Sequence, residues 1–268
     1  LRLKEIDELG KVDKHTIRDY TSWLMGQNVT KTSIARKLSA IRSFYRYLAR
    51  EEILPDNPLV EVSAPKLDRR LPSFLTIEEM VQLLKAPDLA NHQGLRDRAI
   101  IELIYASGLR VSELVKLNLG QINFDSNEII VWGKGSKERV VLIGEPATMA
   151  ITNYINRGRP KLVGKRSGDA LFLNRYGSRL TERTVQMILE KYAALAGLDK
   201  KVYPHLLRHT FATHMLDGGA DLRVVQELLG HASLASTQIY THVTKSQARK
   251  VYLSAHPMAG KDEEREKG

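Results

Sequence analysis

The sequence predicts a mainly α-helical protein with a small antiparallel β-sheet, split into a small and a large domain. Three observations lead there. Apolar residues recur at spacings of three and four through long stretches of the 268-residue chain. Two β-branched runs, 128–132 and 139–143, flank Gly133-Lys134-Gly135-Ser136, the pattern of a hairpin. Pro55, Pro58, Pro65 and Pro72, four of the nine prolines, crowd into one stretch that neither a helix nor a central strand can cross.

In chain order, residues 13–27 read as a helix with Ile17, Tyr20 and Leu24 on one side. Residues 31–52 form a stronger one, with Ile34, Leu38, Ile41, Tyr45 and Leu48 at helical spacing. Arg36, Ser39, Ser43, Arg46 and Arg50 fall on the opposite side, a basic face with small hydroxyls and no carboxylate. Charged stripes are usually solvated outer faces, but those commonly mix signs. The single sign here points to contact with phosphates or a major groove. The proline-rich stretch 53–73 is expected to be an extended linker, with Lys66, Arg69 and Arg70 adding charge. It divides a helical domain at 1–52 from a larger domain at 74–268.

The large domain opens on Thr76-x-x-Glu79, a capping box, leading into a short helix to Leu84. An Ile- and Leu-rich helix follows at 95–107, with Gly108 placed to end it. A short helix at 111–117 precedes the hairpin. Further helices are expected at about 145–157, 181–195, 205–217, 221–229, 234–241 and 244–255. The tail 261–268 is charged and lacks apolar residues, and is expected to fray.

Composition narrows the function classes. Hydrophobic residues at 43% and charged residues at 27% are ordinary for a globular protein in water. No apolar run approaches the roughly 18 residues needed to span a bilayer, and residues 1–9 lack a signal-peptide core. A cytoplasmic protein with no membrane partner is expected. The absence of cysteine excludes disulfides and thiolate metal sites. Lys and Arg outnumber Asp and Glu by 41 to 31, a net +10 that suits a polyanionic partner.

Four chain segments could carry chemistry. In Pro204-His205-Leu206-Leu207-Arg208-His209, proline suits the first turn of a helix. His205 and Arg208, three apart, share a face near a helix start that favours anions. Leu207, Phe211 and Met215 lie on a different, apolar face. A capped helix with incidental polar residues has the same local pattern. His205 and His209 are four apart, but Leu206 stands where a zincin needs glutamate and Arg208 would repel a dication, so no metal is expected. Arg110, within Gly108-Leu109-Arg110-Val111-Ser112-Glu113-Leu114, sits between two helices. It either projects into a cleft or caps the carbonyls of the first helix. Glu113 reads as a partner for a basic group.

Lys134 lies at the glycine-flanked hairpin tip. It is either solvated or able to swing in and protonate a departing alkoxide. The loop does not match a Walker pattern. Asp221 can cap, and Gly230 can end, the helix that precedes His231. Tyr240 follows on a short helix, where its hydroxyl is either tied to a neighbour or available as a nucleophile.

Arg110, Lys134, His205-x-x-Arg208, His231 and Tyr240, in that order and spacing, resemble the tyrosine recombinases of the phage integrase family, specifically the Xer type. The resemblance covers nearly all of residues 30–257. It is strongest at 32–48, 108–114, 133–139, 204–214 and 219–242. Ser236 stands where relatives often carry threonine.

The resemblance implies a two-domain DNA clamp: a helical, SAM-like core-binding domain on one side of the duplex and a catalytic domain on the other. The family's small domain has more helices than residues 1–52 supply, and Leu1 is not an initiator methionine. An N-terminal part is therefore expected to be missing.

The implied activity is site-specific cleavage and rejoining of DNA through a 3′-phosphotyrosyl bond to Tyr240. Arg110 and Arg208 would grip the nonbridging oxygens, and Lys134 would protonate the leaving 5′ oxygen. His205 would assist proton transfer at the tyrosine, and His231 would hydrogen-bond the phosphate. One phosphodiester is exchanged for another, so no ATP, cofactor or metal is expected. Implied partners are double-stranded DNA bearing a specific recombination site, three further protomers of the same or a sister recombinase, and a septal DNA translocase. A C-terminal helix at about 244–257 is expected to dock on a neighbouring subunit. Resolution of chromosome or plasmid dimers is the expected role. The alternatives are a phage or mobile-element integrase, a type IB topoisomerase, and a DNA-binding protein without cleavage.

Overall fold

The computed structural model describes residues 9–55, 57–60, 62–63, 65, 74–132, 138–230 and 245–259. The chain divides into two compact units, 1–72 and 73–268. Each is built around its own apolar core.

The small unit contains α1 (Lys14–Gly26) and α2 (Lys31–Arg50). Asp13 caps α1, its carboxylate accepting from Thr16 N at 2.7 Å, and Thr30 caps α2 through Ser33 N at 3.3 Å. The residues expected to face inward do so. Ile17, Leu24, Ile34, Leu38, Tyr45 and Leu48 are all buried, and Tyr20 and Ile41 pack against them. Each buried aliphatic side chain contributes roughly 1.5–3 kcal/mol. Leu59 and Val62 also enter this core. Arg42 Nη2 donates to Val62 O at 2.7 Å. The first part of the proline-rich stretch is thus packed against α2 rather than extended, because two apolar side chains separated by a turn reach the same core.

In the large unit, α3 (Ile77–Lys85) starts at the expected capping box: Thr76 Oγ1 accepts from Glu79 N at 3.2 Å and Glu79 returns the bond at 2.7 Å. The central helix α4 (His92–Ser107) is buried on all sides, against α6 (Glu145–Asn153), α7 (Glu182–Leu195) and α8 (Pro204–Asp217). It begins three residues earlier than its apolar run predicts, because Asn91 provides the cap to Gln93 N at 2.8 Å. The charges this brings inside are paired: Arg96 with Asp97 at 2.7 Å, and Arg98 with Glu102 at 2.6 Å.

The sheet has three antiparallel strands in the order β1 (Ile122–Asn123), β2 (Glu128–Trp132), β3 (Glu138–Leu142). Ile129 and Val131 alternate inward, opposite Val141 and Arg139. The two-residue β1 pairs with β2 and is too short to leave a period-2 signal in the sequence. The hairpin tip, 133–137, lies outside the described residues, as do 231–244 and the tail.

The short α5 (Val111–Leu114) follows Gly108, and α9 (Leu222–Leu228) is capped by Asp221. The last described helix, α10 (Lys245–Ala255), packs on α8 and α9 of its own unit. Tyr252 and Ala255 join Phe211, Met215, Val225 and Leu229 in a second apolar cluster. His256 is buried there as well. Its Nδ1 accepts from Met258 N at 3.1 Å, which leaves Nε2–H to face Tyr105 O at 3.2 Å.

Gly108 ends α4 in the left-handed region at φ 59°. A Cβ there would stand 2.7 Å from both Leu229 Cδ2 and Phe211 Cδ1. The close approach of α8 and α9 to the end of α4 depends on that missing atom. Gly108→Ala combines left-handed strain with overpacking and should destabilise the large unit by about 2–4 kcal/mol. Urea melts of the two proteins check this; equal midpoints would contradict it.

Candidate active site: an arginine cluster at the end of α9

Three chain segments converge where α4 gives way to α5, where α8 completes its first turn, and where α9 ends. Each delivers a guanidinium or a backbone acceptor. Arg208 is buried because α8 turns its apolar face, with Leu207 and Phe211, into the core. Its Nη1 donates to Gly108 O, and its Nη2 donates to Leu229 O at 2.7 Å. Both acceptors are terminal helix carbonyls without an intrahelical partner. Burial pulls the Arg208 pKa down to about 10, with Arg110 and Arg139 adding to the shift and Glu113 opposing it. The group is still a cation at neutral pH.

Arg110 occupies the N-cap position of α5 with extended backbone. Its Nη2 reaches Gly230 O at 3.4 Å and its Nη1 lies 3.1 Å from Glu113 Oε1. It does not cap α4; Arg208 takes that carbonyl instead. With 37% of its side chain exposed, Arg110 presents its remaining N–H groups outward.

Glu113 is the buried carboxylate that ties the cluster together. It accepts from Arg110 N at 2.9 Å and from Arg139 Nη1 and Nη2 at 2.7 and 3.0 Å. Burial pushes its pKa up, but the Arg139 hydrogen bonds, the Arg110 N–H and the two guanidinium charges outweigh it. The carboxyl is held below its usual range. Three guanidinium groups stand against one carboxylate, with Arg110 the most exposed of the three. Excess positive charge of this kind suits an anion such as a phosphate.

His205, one turn before Arg208, is exposed, and so is His209. Among the described residues no group of three or more His, Asp or Glu side chains is placed to hold a metal. Lys134, His231 and Tyr240 lie outside the described residues. So does Lys66. Of the six residues expected to act together, Arg110 and Arg208 come to adjoining carbonyls, Leu229 O and Gly230 O.

Sequence reasoning did not single out Arg139. It opens the second β-branched run just after the Gly-Lys-Gly-Ser-Lys-Glu loop, where an arginine reads as a solvated strand end. Only the tertiary fold shows Glu113 opposite it.

On α2, Arg36, Ser39, Ser43, Arg46 and Arg50 are all exposed, as expected. Phe44 and Tyr47 are exposed between them, and Arg50 stacks over the Tyr47 ring at 5.6 Å. Arg50 also pairs with Glu51 at 2.8 Å, so the face is not free of carboxylate at its end. That pair is exposed and weak.

Residues 73–247 match the phage integrase family and residues 2–52 match its N-terminal SAM-like domain. This chain belongs to the phage integrase family of tyrosine recombinases. Among its relatives, tyrosine recombinase XerC of Pelotomaculum thermopropionicum is 48% identical, over 92% of this chain and 82% of the relative. Tyrosine recombinase XerD of Halalkalibacterium halodurans is 46% identical, over 95% and 85%. The fold is similar to that of the XerH site-specific recombinase bound to palindromic difH substrate in a post-cleavage complex. That likeness has a TM-score of 0.73 at 25% identity and covers 94% of this chain and 74% of the other. The integrase-family catalytic match therefore spans the segments that build the arginine cluster.

Proposed function

We propose that this protein is a site-specific tyrosine recombinase that resolves chromosome or plasmid dimers in the cytoplasm. The observation that carries the reading is the seating of Arg110 and Arg208 on adjoining carbonyls at the end of α9, immediately before the segment that holds His231 and Tyr240. Two cationic forks at one place suit the two nonbridging oxygens of a phosphodiester.

Double-stranded DNA is the substrate, and the exposed basic face of α2 tracks its backbone. Tyr240 Oη attacks the scissile phosphorus and the P–O5′ bond breaks, leaving a 3′-phosphotyrosyl ester and a 5′-hydroxyl. The phenolic proton passes to His205, and Lys134 supplies a proton to the departing O5′. A 5′-hydroxyl from the partner duplex then attacks the phosphotyrosine and releases Tyr240. The number of phosphodiester bonds is unchanged, so the exchange needs no nucleotide. His231 hydrogen-bonds the phosphate during both steps.

Four protomers on two duplexes complete the exchange, with residues 244–257 docking on a neighbour in a closed ring, for which α10 leaves its seat on α8 and α9. A septal DNA translocase is the expected activator. XerC and XerD relatives at 48% and 46% identity favour this role over that of a phage integrase.

The test is incubation with nicked duplexes carrying candidate sites, followed by peptide mapping of the covalent product. The adduct is expected on the peptide containing Tyr240. An adduct on another residue, or none on any site-bearing duplex that the protein binds, overturns the reading.

A further inference from the structure

Arg139 meets the phosphate-facing groups only through other residues, yet it touches both segments that hold them. It forks onto Glu113 through Nη1 and Nη2 at 2.7 and 3.0 Å. Glu113 in turn accepts the backbone N–H of Arg110 at 2.9 Å and faces the Arg110 guanidinium at 3.1 Å. Arg139 thus fixes the carboxylate that fixes Arg110. Its guanidinium also lies flat against Gly230, where a Cβ would stand 2.8 Å from Nη1 and 2.9 Å from Cζ. Gly230, at φ 66°, is the residue at which the chain leaves α9 and whose carbonyl Arg110 reaches. Finally, Arg139 belongs to β3, five residues after Lys134 in the sequence. Its side chain is only 17% exposed, and its Nε is buried with no hydrogen-bond partner among the described residues. A guanidinium is kept there, partly desolvated, for the two bonds that it makes.

We propose that Arg139 is a positioning residue of the recombinase reaction. It holds Glu113 against Arg110 and braces the end of α9, so that Arg110 is preset for the scissile phosphate. This rests on the phosphodiester chemistry proposed above. Without Arg139, Glu113 keeps its charge but loses two of its donors, and its existing bond to Arg110 Nη1 tightens. More of the Arg110 fork is then held by the carboxylate and fewer of its donors are left for phosphate. Lysine can return the charge but only one of the two parallel bonds. It should therefore restore part of the function.

The experiment compares wild type, Arg139→Ala, Arg139→Lys, Glu113→Gln and the Arg139→Ala/Glu113→Gln double variant. Duplex binding, single-turnover formation of the covalent adduct on nicked DNA, and hydrogen exchange at the Arg110 amide are measured for each. Arg139→Ala should cleave about 30-fold more slowly with binding changed less than threefold, and Arg139→Lys should recover roughly half of that loss on a logarithmic scale. In the Glu113→Gln background, removing Arg139 should cost less than about threefold more, because the carboxylate it restrains is gone. The Arg110 amide should exchange at least about tenfold faster in Arg139→Ala while core amides of α4 keep their protection.

Additive losses, cleavage within threefold of wild type, or an unchanged Arg110 amide would each overturn the proposal. Loss of protection throughout α4 would mean that alanine unfolds the unit; Arg139→Lys then decides alone, and a melt and cleavage rate both equal to wild type overturn the proposal. A wild-type protein that binds site DNA but forms no adduct overturns the proposed function instead, and the Arg110 amide still judges Arg139.

Discussion

Tyr240→Phe should form no covalent DNA adduct and should bind its duplex within about twofold of wild type. The phenyl ring keeps the size and shape of the side chain and removes only the oxygen that becomes bonded to phosphorus. No other group can replace it in place, since a phosphotyrosyl ester needs that atom. Affinity for a duplex grows with the number of Lys and Arg contacts to phosphates, for which we propose the α2 face, and one hydroxyl is a small part of such a sum. The ordinary phenol has a pKa near 10 and is a poor nucleophile at neutral pH. In the proposed mechanism, guanidinium charge at the phosphate favours the phenolate. Adduct trapping on nicked DNA with a filter-binding control separates the two effects. A phenylalanine variant that still forms adduct removes Tyr240 from the chemistry.

Arg208→Ala should cleave DNA at least about 100-fold more slowly, the loss seen when one preset donor to a developing oxyanion is deleted. The geometry adds a second consequence. Arg208 Nη1 and Nη2 satisfy Gly108 O and Leu229 O. Alanine leaves both carbonyls without that donor in a buried place, at a cost of about 1–3 kcal/mol each unless water enters. The variant should therefore also melt earlier. Arg208→Lys separates the two contributions: it keeps the charge, loses the fork, and should still be slowed by more than about tenfold. Single-turnover rates at saturating DNA, read beside thermal melts, give both numbers. A wild-type cleavage rate in either variant would take Arg208 out of the mechanism.

Much of this fold was legible in the sequence because helices leave a period that survives in a single chain. The inward side of α2, from Ile34 to Leu48, was readable residue by residue, and so was the exposed basic side. Caps with a side-chain signature, Thr76 with Glu79 and Asp221, could also be found. Features made by tertiary contact could not. The strand β1 is two residues long, the packing of Leu59 and Val62 depends on where a turn delivers them, and α4 starts early on an Asn91 cap outside its apolar run. The arginine cluster divides along the same line. Arg110 and Arg208 stood out by motif, whereas Arg139 lies far from Glu113 in sequence and has an unremarkable strand context. Its bonds to Glu113 exist only because the fold sets β3 beside α5.

Arg110 and Arg208 take their bearings from oxygen atoms of the main chain: Gly108 O, Leu229 O and Gly230 O. Every amino acid carries that oxygen, so no side-chain exchange at these places can delete it. What can misplace the guanidinium groups is a change in the path of the chain, such as an insertion in α9 or a residue that refuses the left-handed turn at Gly108 or Gly230. The aim of these guanidinium groups is therefore set by the path of the chain, and it is exposed to point changes at Gly108 and Gly230 as well as to changes in length.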